Sequence, residues 1–206
     1  MGVIHHEIVD VLNKDHFFEV LKKHQITDLY GLASLLSATG ELYPLHTDKI
    51  NMGALLNYLE SARLGLVNRV FWPSSIAAFG ANTPKVSPQH TVQEPTTVYG
   101  ICKKAGELWC NYYFTRYGVD VRSVRYPGLI GWRSNPGGGT TDYAPQLLQA
   151  AVMKERYTCY LTKDTPLSMM YMDDAVDATI RLMDADPKNL SIRTSYNIRA
   201  MEFTPY

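Results

Sequence analysis

Residues 69–80, RVFWPSSIAAFG, and residues 98–118, VYGICKKAGELWCNYYFTRYG, decide the fold. RVFW is a short apolar run closed by Pro73, the pattern of a buried strand, and 98–117 is a long helical pattern stopped by Gly118. The same alternation continues outward. Strands are predicted over residues 6–12 (HEIVDVL), 28–36 (DLYGLASLL, running into a loop) and 120–125 (DVRSVR). Helices are predicted from Asp15 through FFEVLKKHQ, over 51–64 with Gly65 at the stop, and over 143–154. Residues 84–97 read as a polar, proline-bearing loop and 131–141 as a glycine-rich one. Strands alternating with helices predict an α/β protein whose parallel sheet has helices on both faces.

Length and composition narrow the function classes. A chain of 206 residues is large enough to bury about 70% of its unfolded surface. Twenty basic residues balance twenty acidic ones, which removes any electrostatic case for nucleic acid or an anionic membrane as partner. Cys102, Cys110 and Cys159 form no CxxC pair and are odd in number, so a reduced, cytoplasmic protein is expected. No apolar run approaches the roughly 20 residues that span a bilayer. The opening MGVIHHEIVDVLN has no basic stretch followed by an apolar core, so no signal peptide is predicted, and His6 stands where myristoylation calls for Ser or Thr.

Tyr99 and Lys103 stand four apart near the start of the long helix, about 6 Å of rise and slightly over one turn, so they share a face. An ammonium beside a phenol favours the phenolate, and the pairing is expected to lower the Tyr99 pKa toward the working range. A phenolate so placed accepts a proton from a substrate hydroxyl. Fourteen tyrosines make one such spacing easy to meet by chance, so the pair alone proves little. Ser74 and Ser75 change that weighing, because they follow RVFW at the end of a strand where open parallel sheets bind ligands. Ser75 is the candidate for holding the substrate oxygen, against the plainer reading of a turn serine. Gly137, Gly138 and Gly139 allow a close backbone approach to a small ligand, with Thr140, Thr141 and Asp142 offering polar groups; Asp142 also reads as an N-cap. Asp173 and Asp174 read as the acidic start of a helix, and no metal is predicted.

The ordered series LLSATGE (35–41), NMGA (51–54), FWPSSIAAFG (71–80), VYGICKKAGE (98–107), VRYPGLIG (124–131), GGGTTDYA (137–144) and MMYMDDAVDAT (169–179) resembles the extended short-chain dehydrogenases. RYPGLI, PGGGTTDYA and MMYMDD look like the L-threonine 3-dehydrogenases rather than the sugar-nucleotide epimerases. The resemblance covers nearly the whole chain. It implies a Rossmann-like doubly wound sheet with part of a small substrate domain: 1–130 a partial dinucleotide-binding domain, and 131–206 a substrate loop and partial substrate domain, with 169–199 returning to the sheet. It implies NAD as cofactor, L-threonine as the small-molecule substrate and a homodimer. By resemblance Ser75, Tyr99 and Lys103 are catalytic. Asp10 and Val11 contact adenine, Leu32 and Ala33 pass the cofactor, Asn51 lies near the nicotinamide side, Lys103 binds ribose, and Tyr126 and Pro127 cover the nicotinamide. Ser37, Ser75, Thr140, Thr141 and Asp142 hold the amino acid.

The pattern breaks at the glycine-rich turn that cradles a pyrophosphate, since the first 30 residues contain only Gly2. By resemblance the chain begins at the family's third strand and also stops short of its end. The expectation is therefore a chain that holds the proton-transfer residues and does not bind NAD in the ordinary way. Two other functions stay open: a non-catalytic remnant binding a partner subunit, and a sugar-nucleotide epimerase or reductase on the same scaffold.

Overall fold

The computed structural model describes residues 4–133, 135, 137 and 139–206; Gly138 lies outside the described residues. Helix α1 (Lys14–Lys23) starts where the Asn13 side chain accepts from the His16 N–H, and it buries Phe17, Phe18 and Leu21. After β1 (Asp28–Tyr30) come α2 (Ser37–Leu42) and α3 (Pro44–Arg63), which abut at Tyr43. Pro44 occupies the first helical position, where a missing N–H costs nothing. The chain continues through β2 (Arg69–Phe71) and β3 (Ser74–Ser75) to α4 (Val98–Tyr117). Thr97 caps α4 by accepting from the Gly100 N–H at 3.1 Å, and Gly118 ends it in the left-handed region at φ +71°. Then follow β4 (Asp120–Arg122), β5 (Val124–Tyr126), β6 (Gly128–Ile130), α5 (Tyr143–Met153), β7 (Leu167–Tyr171), α6 (Met172–Asp184), β8 (Tyr196–Asn197) and β9 (Met201–Phe203).

The ladders β1-β2-β4 and β3-β5-β8 are parallel throughout. Arg69 pairs with Asp120 and Ser74 with Arg125, so the register keeps one offset. β2 and β3 are therefore one strand interrupted at Trp72–Pro73, facing β4 and β5 interrupted at Ser123. Trp72 still donates to the Arg122 carbonyl at 3.0 Å, but Pro73 has no N–H for the ladder. Successive side chains point to opposite faces. Val70 joins Val121 in the core formed with α1, α3 and α4, whereas Phe71 packs with Val124 and Met183 of α6 on the other face. That is a doubly wound, Rossmann-like α/β arrangement. Arg122 ties α6 down, its Nη1 lying 2.6–2.7 Å from the carbonyl oxygens of Leu182, Met183 and Ala185. A third ladder pairs β6 with β7 in parallel and β7 with β9 antiparallel. Of the stretch 169–199, Tyr196–Asn197 joins the sheet beside β5, while Met169–Tyr171 belongs to this third ladder.

Three sequence expectations need correction. Residues 6–12 are not a strand: Ile8 is 98% exposed, and a turn at Asp10 takes the Asn13 N–H on its carbonyl and the Leu12 N–H on its Oδ1. Alternating hydrophobicity makes a strand only beside a partner, and none pairs with this segment among the described residues. The strand expected over 120–125 breaks at Ser123 into β4 and β5, whereas 28–36 is, as expected, a strand (Asp28–Tyr30) running into a loop. The helix expected over 51–64 starts at Pro44. Asp173 and Asp174 do stand in the first turn of α6, opposite its partial positive charge. No described helix is long and apolar enough to cross a membrane.

Candidate active site

Ser75 ends β3 at the carboxyl edge of the parallel sheet. Its Oγ accepts from the Ala77 N–H at 3.1 Å, turning the chain into a short 3-10 segment, and it is hydrogen-bonded to Tyr99. This turn meets the start of α4 closely: a Cβ at Gly100 would lie 2.2 Å from the Ala77 carbonyl oxygen. Glycine at position 100 is what lets Tyr99 approach Ser75. One turn further, Lys103 is 3% exposed and donates from Nζ to the Pro73 carbonyl at 2.6 Å, the strand interruption having left that carbonyl to one side. Its ammonium lies 4.6 Å from the Trp72 ring centroid and 5.2 Å from that of Tyr99.

The acid–base balance differs from the sequence expectation. Burial pushes the Tyr99 phenol up to about 12, and the Ser75 hydrogen bond opposes that shift. Burial also pulls Lys103 down to about 8, with the nearby acidic groups, Glu107 among them, opposing that shift. Lys103 spends its hydrogen bond on a backbone carbonyl rather than on the phenol oxygen, so desolvation outweighs its help to the phenolate.

Ser75, Tyr99 and Lys103 line a cavity of about 790 Å³. Leu32, Ser37, Tyr126, Pro127, Thr140, Thr141 and Asp142 line it too. Thr141 reaches it because β6 carries Gly128, where a Cβ would meet Thr141 Cβ at 2.6 Å. Asp142 accepts from the Gly139 N–H at 2.8 Å, closing the glycine loop; it precedes α5 but makes no side-chain cap to it. Four anticipated residues lie outside the cavity lining. Asp10 closes its own turn, Val11 packs on the core and accepts from Asn57, and Ala33 is exposed. Asn51 grips the loop before Ser37: its Oδ1 accepts from the Leu35 N–H at 2.8 Å and the Ser34 hydroxyl at 3.1 Å, and its Nδ2 donates to the Leu35 carbonyl at 3.0 Å.

Sequence reading missed the buried pair Glu107–Arg125, joined at 2.8 and 2.6 Å beneath the site. A signal existed, because Glu107 is one turn beyond Lys103 and two beyond Tyr99, on the face that must be buried if they are. It also missed Glu41, which accepts from the Val98 N–H at 2.8 Å, and the contact of Tyr126 Oη with Thr179 Oγ1.

The profile of the NAD dependent epimerase/dehydratase family matches residues 3–198. An uncharacterized epimerase/dehydratase of Staphylococcus haemolyticus is 52% identical over 97% of this chain and 63% of its own length. Among solved structures, a partial consensus L-threonine 3-dehydrogenase is 55% identical with TM-score 0.95, over 97% of this chain and 65% of that one. The GalE-like L-threonine dehydrogenase from Cupriavidus necator, in its holo form, is 55% identical with TM-score 0.94 over the same shares. A UDP-glucose 4-epimerase from Thermotoga maritima, 20% identical with TM-score 0.81, shares the fold. The chain thus spans somewhat less than two thirds of the length of these relatives. With a profile matched over residues 3–198 and relatives above 50% identity along nearly the whole sequence, the chain belongs to the NAD dependent epimerase/dehydratase family.

Proposed function

We propose that this site serves the NAD-dependent oxidation of L-threonine at its 3-hydroxyl, giving 2-amino-3-oxobutanoate. The observation that carries the reading is the meeting of Ser75, Tyr99 and Lys103 in one cavity with Ser37, Thr140, Thr141 and Asp142. Hydroxyls and a carboxylate around a short glycine loop suit a small zwitterion better than a nucleotide sugar. The similarity to proteins named as L-threonine dehydrogenases points the same way.

The residues present fit the nicotinamide–ribose end of NAD. Lys103 makes one hydrogen bond among the described residues, to Pro73, and an ammonium has three donors, which leaves two for ribose hydroxyls. Leu32, Tyr126 and Pro127 offer apolar walls. When bound, NAD supplies the hydride acceptor. Before substrate binds, the Ser75 hydrogen bond favours the phenolate of Tyr99; with substrate in place the Ser75 hydroxyl donates to the substrate oxygen and orients it. Tyr99 Oη takes the hydroxyl proton as the C3–H bond is lost, and Lys103 stabilises the negative oxygen. The test is NADH formation by the 206-residue chain, and by a chimera setting residues 4–198 into the longer Cupriavidus necator relative. L-threonine should support reduction and UDP-glucose should not be epimerised. Epimerisation without threonine oxidation would reverse the assignment.

Asp10 and Val11, implied for adenine, sit away from the cavity, and the described residues include no glycine-rich strand-to-helix turn. Calorimetry on the 206-residue chain should therefore give dissociation constants for NAD and nicotinamide mononucleotide within about tenfold of each other, a difference of about 1.4 kcal/mol or less. A preference for NAD far beyond that would mean that these residues grip the adenosine half as well.

A further inference from the structure

Beneath the cavity, Glu107 is 1% exposed and Arg125 4% exposed. Both oxygens of Glu107 are doubly engaged. Oε1 accepts from Ser74 Oγ at 2.6 Å and from Arg125 Nε at 2.8 Å; Oε2 accepts from Arg125 Nη2 at 2.6 Å and from Gln93 Nε2 at 3.1 Å. Arg125 Nη1 reaches Asn197 Oδ1 at 2.8 Å and the Gln89 carbonyl at 3.2 Å, and its guanidinium lies 5.5 Å from the ring centroid of Phe79, which lines the cavity. One carboxylate thus connects α4, β3, β5 and the loop over 84–97, and through Arg125 also β8. These same elements carry the reacting groups: Ser75 follows Ser74 on β3, and Tyr99 and Lys103 precede Glu107 on α4.

Burying a charged pair this deeply is seldom a gain in stability over apolar residues of equal volume, so its retention asks for another reason. The sheet is interrupted beside Ser74, where Pro73 takes the ladder away, and α4 meets that broken strand end through side chains. We propose that Glu107, held in place by Arg125, is a positioning residue: it fixes the distance between the strand end bearing Ser75 and the helix bearing Tyr99 and Lys103. The proposal rests on the reading of those three residues as the reacting groups. Glu107 touches neither substrate nor cofactor in this role. Its charge is also one of those that oppose the lowering of the Lys103 pKa.

The test has a readout that needs no turnover. The 206-residue chain is labelled with tyrosine carrying ¹³C at Cζ, and the Tyr99 resonance is assigned by its loss in Tyr99→Phe. In Glu107→Gln the carboxylate becomes an amide that turns an NH₂ toward Arg125 or Ser74. The Tyr99 resonance should then move to the position it takes in Ser75→Ala, while those of Tyr58 and Tyr143, in separate cores, stay in place. A Tyr99 resonance unmoved in a folded Glu107→Gln chain overturns the proposal. Should Glu107→Gln fail to fold, Ser74→Ala, which removes one of the four donors, is read by the same criterion, with a smaller shift expected. The second readout is kinetic, in the Cupriavidus chimera: kcat for L-threonine should fall by about tenfold or more with KM within about threefold, the mark of an interaction expressed in the transition state. A rise in KM alone overturns positioning. A wild-type chimera that never oxidises L-threonine defeats the functional reading instead, and the Tyr99 resonance still decides the role of Glu107.

Discussion

Replacing Tyr99 by phenylalanine in the threonine-oxidising chimera should lower kcat by about 10² to 10⁴-fold, the usual worth of general acid–base catalysis. Phenylalanine keeps the ring against Lys103 and removes only the oxygen that accepts the substrate proton. KM should change little, because the hydroxyl contributes to binding no more than Ser75 beside it does. The pH dependence gives a second handle. With the phenol pushed up to about 12, its base form is scarce at neutrality and grows about tenfold per pH unit. Wild-type turnover should rise with pH up to about 8, where Lys103 begins to lose the charge that stabilises the phenolate, and the residual rate of Tyr99→Phe should lack this limb. A Tyr99→Phe protein with wild-type kcat and the same pH profile would remove the base from the mechanism.

The second large effect concerns Lys103 and stability. Its pKa is lowered from 10.5 to about 8, because the fold buries the ammonium. Below about pH 8 lysine is charged in both states and the folded chain bears the full desolvation cost. Between about 8 and 10.5 the unfolded chain keeps the proton that the folded one has lost, so the cost fades and stability rises with pH, by about 3 kcal/mol in all. Other buried groups pull the opposite way. Cys102, pushed up to about 11 by burial, and Cys110, also raised by burial, stay neutral in the fold and ionise when unfolded above their ordinary value of 9.0. Tyr58 and Tyr99, both near 12, act likewise above 10.0. The Lys103 contribution is therefore read as a difference. Urea unfolding of wild type and Lys103→Met at a series of pH values should show the variant's relative advantage shrinking as pH climbs from 7.5 to 10. Parallel curves would mean that Lys103 is not desolvated as the fold implies.

What the sequence disclosed follows how local each cause is. Helix α4 is legible almost to the residue because its stop, Gly118, and the apolar spacing before it lie within its own stretch. Its serine partner is legible because strand ends in parallel sheets are binding positions whatever the chain. Residues 6–12 misled because alternation describes a strand only when another strand stands beside it. The stretch 120–125 was read as continuous, yet it breaks at Ser123 because its neighbour carries Pro73, some fifty residues away in sequence. Tyr99 and Lys103 were brought together as expected, but the direction of the phenol's shift was not legible. Spacing reveals proximity and says nothing of desolvation, which depends on the many side chains that close over the pair. Glu107 and Arg125 belong to motifs that were recognised; their pairing was invisible because it is a contact across the sheet–helix boundary.

The kink at Trp72–Pro73 sets how freely evolution can alter this site. The partner of Lys103 is a main-chain oxygen, which any residue at position 73 would carry, but it stands clear of the ladder because Pro73 has no N–H to keep the strand paired. Both ends of the contact are therefore constrained, position 73 through its backbone and position 103 through its long cationic side chain. A collection of randomised variants should accordingly be intolerant at both positions, with Pro73 replaced only where the ladder stays interrupted.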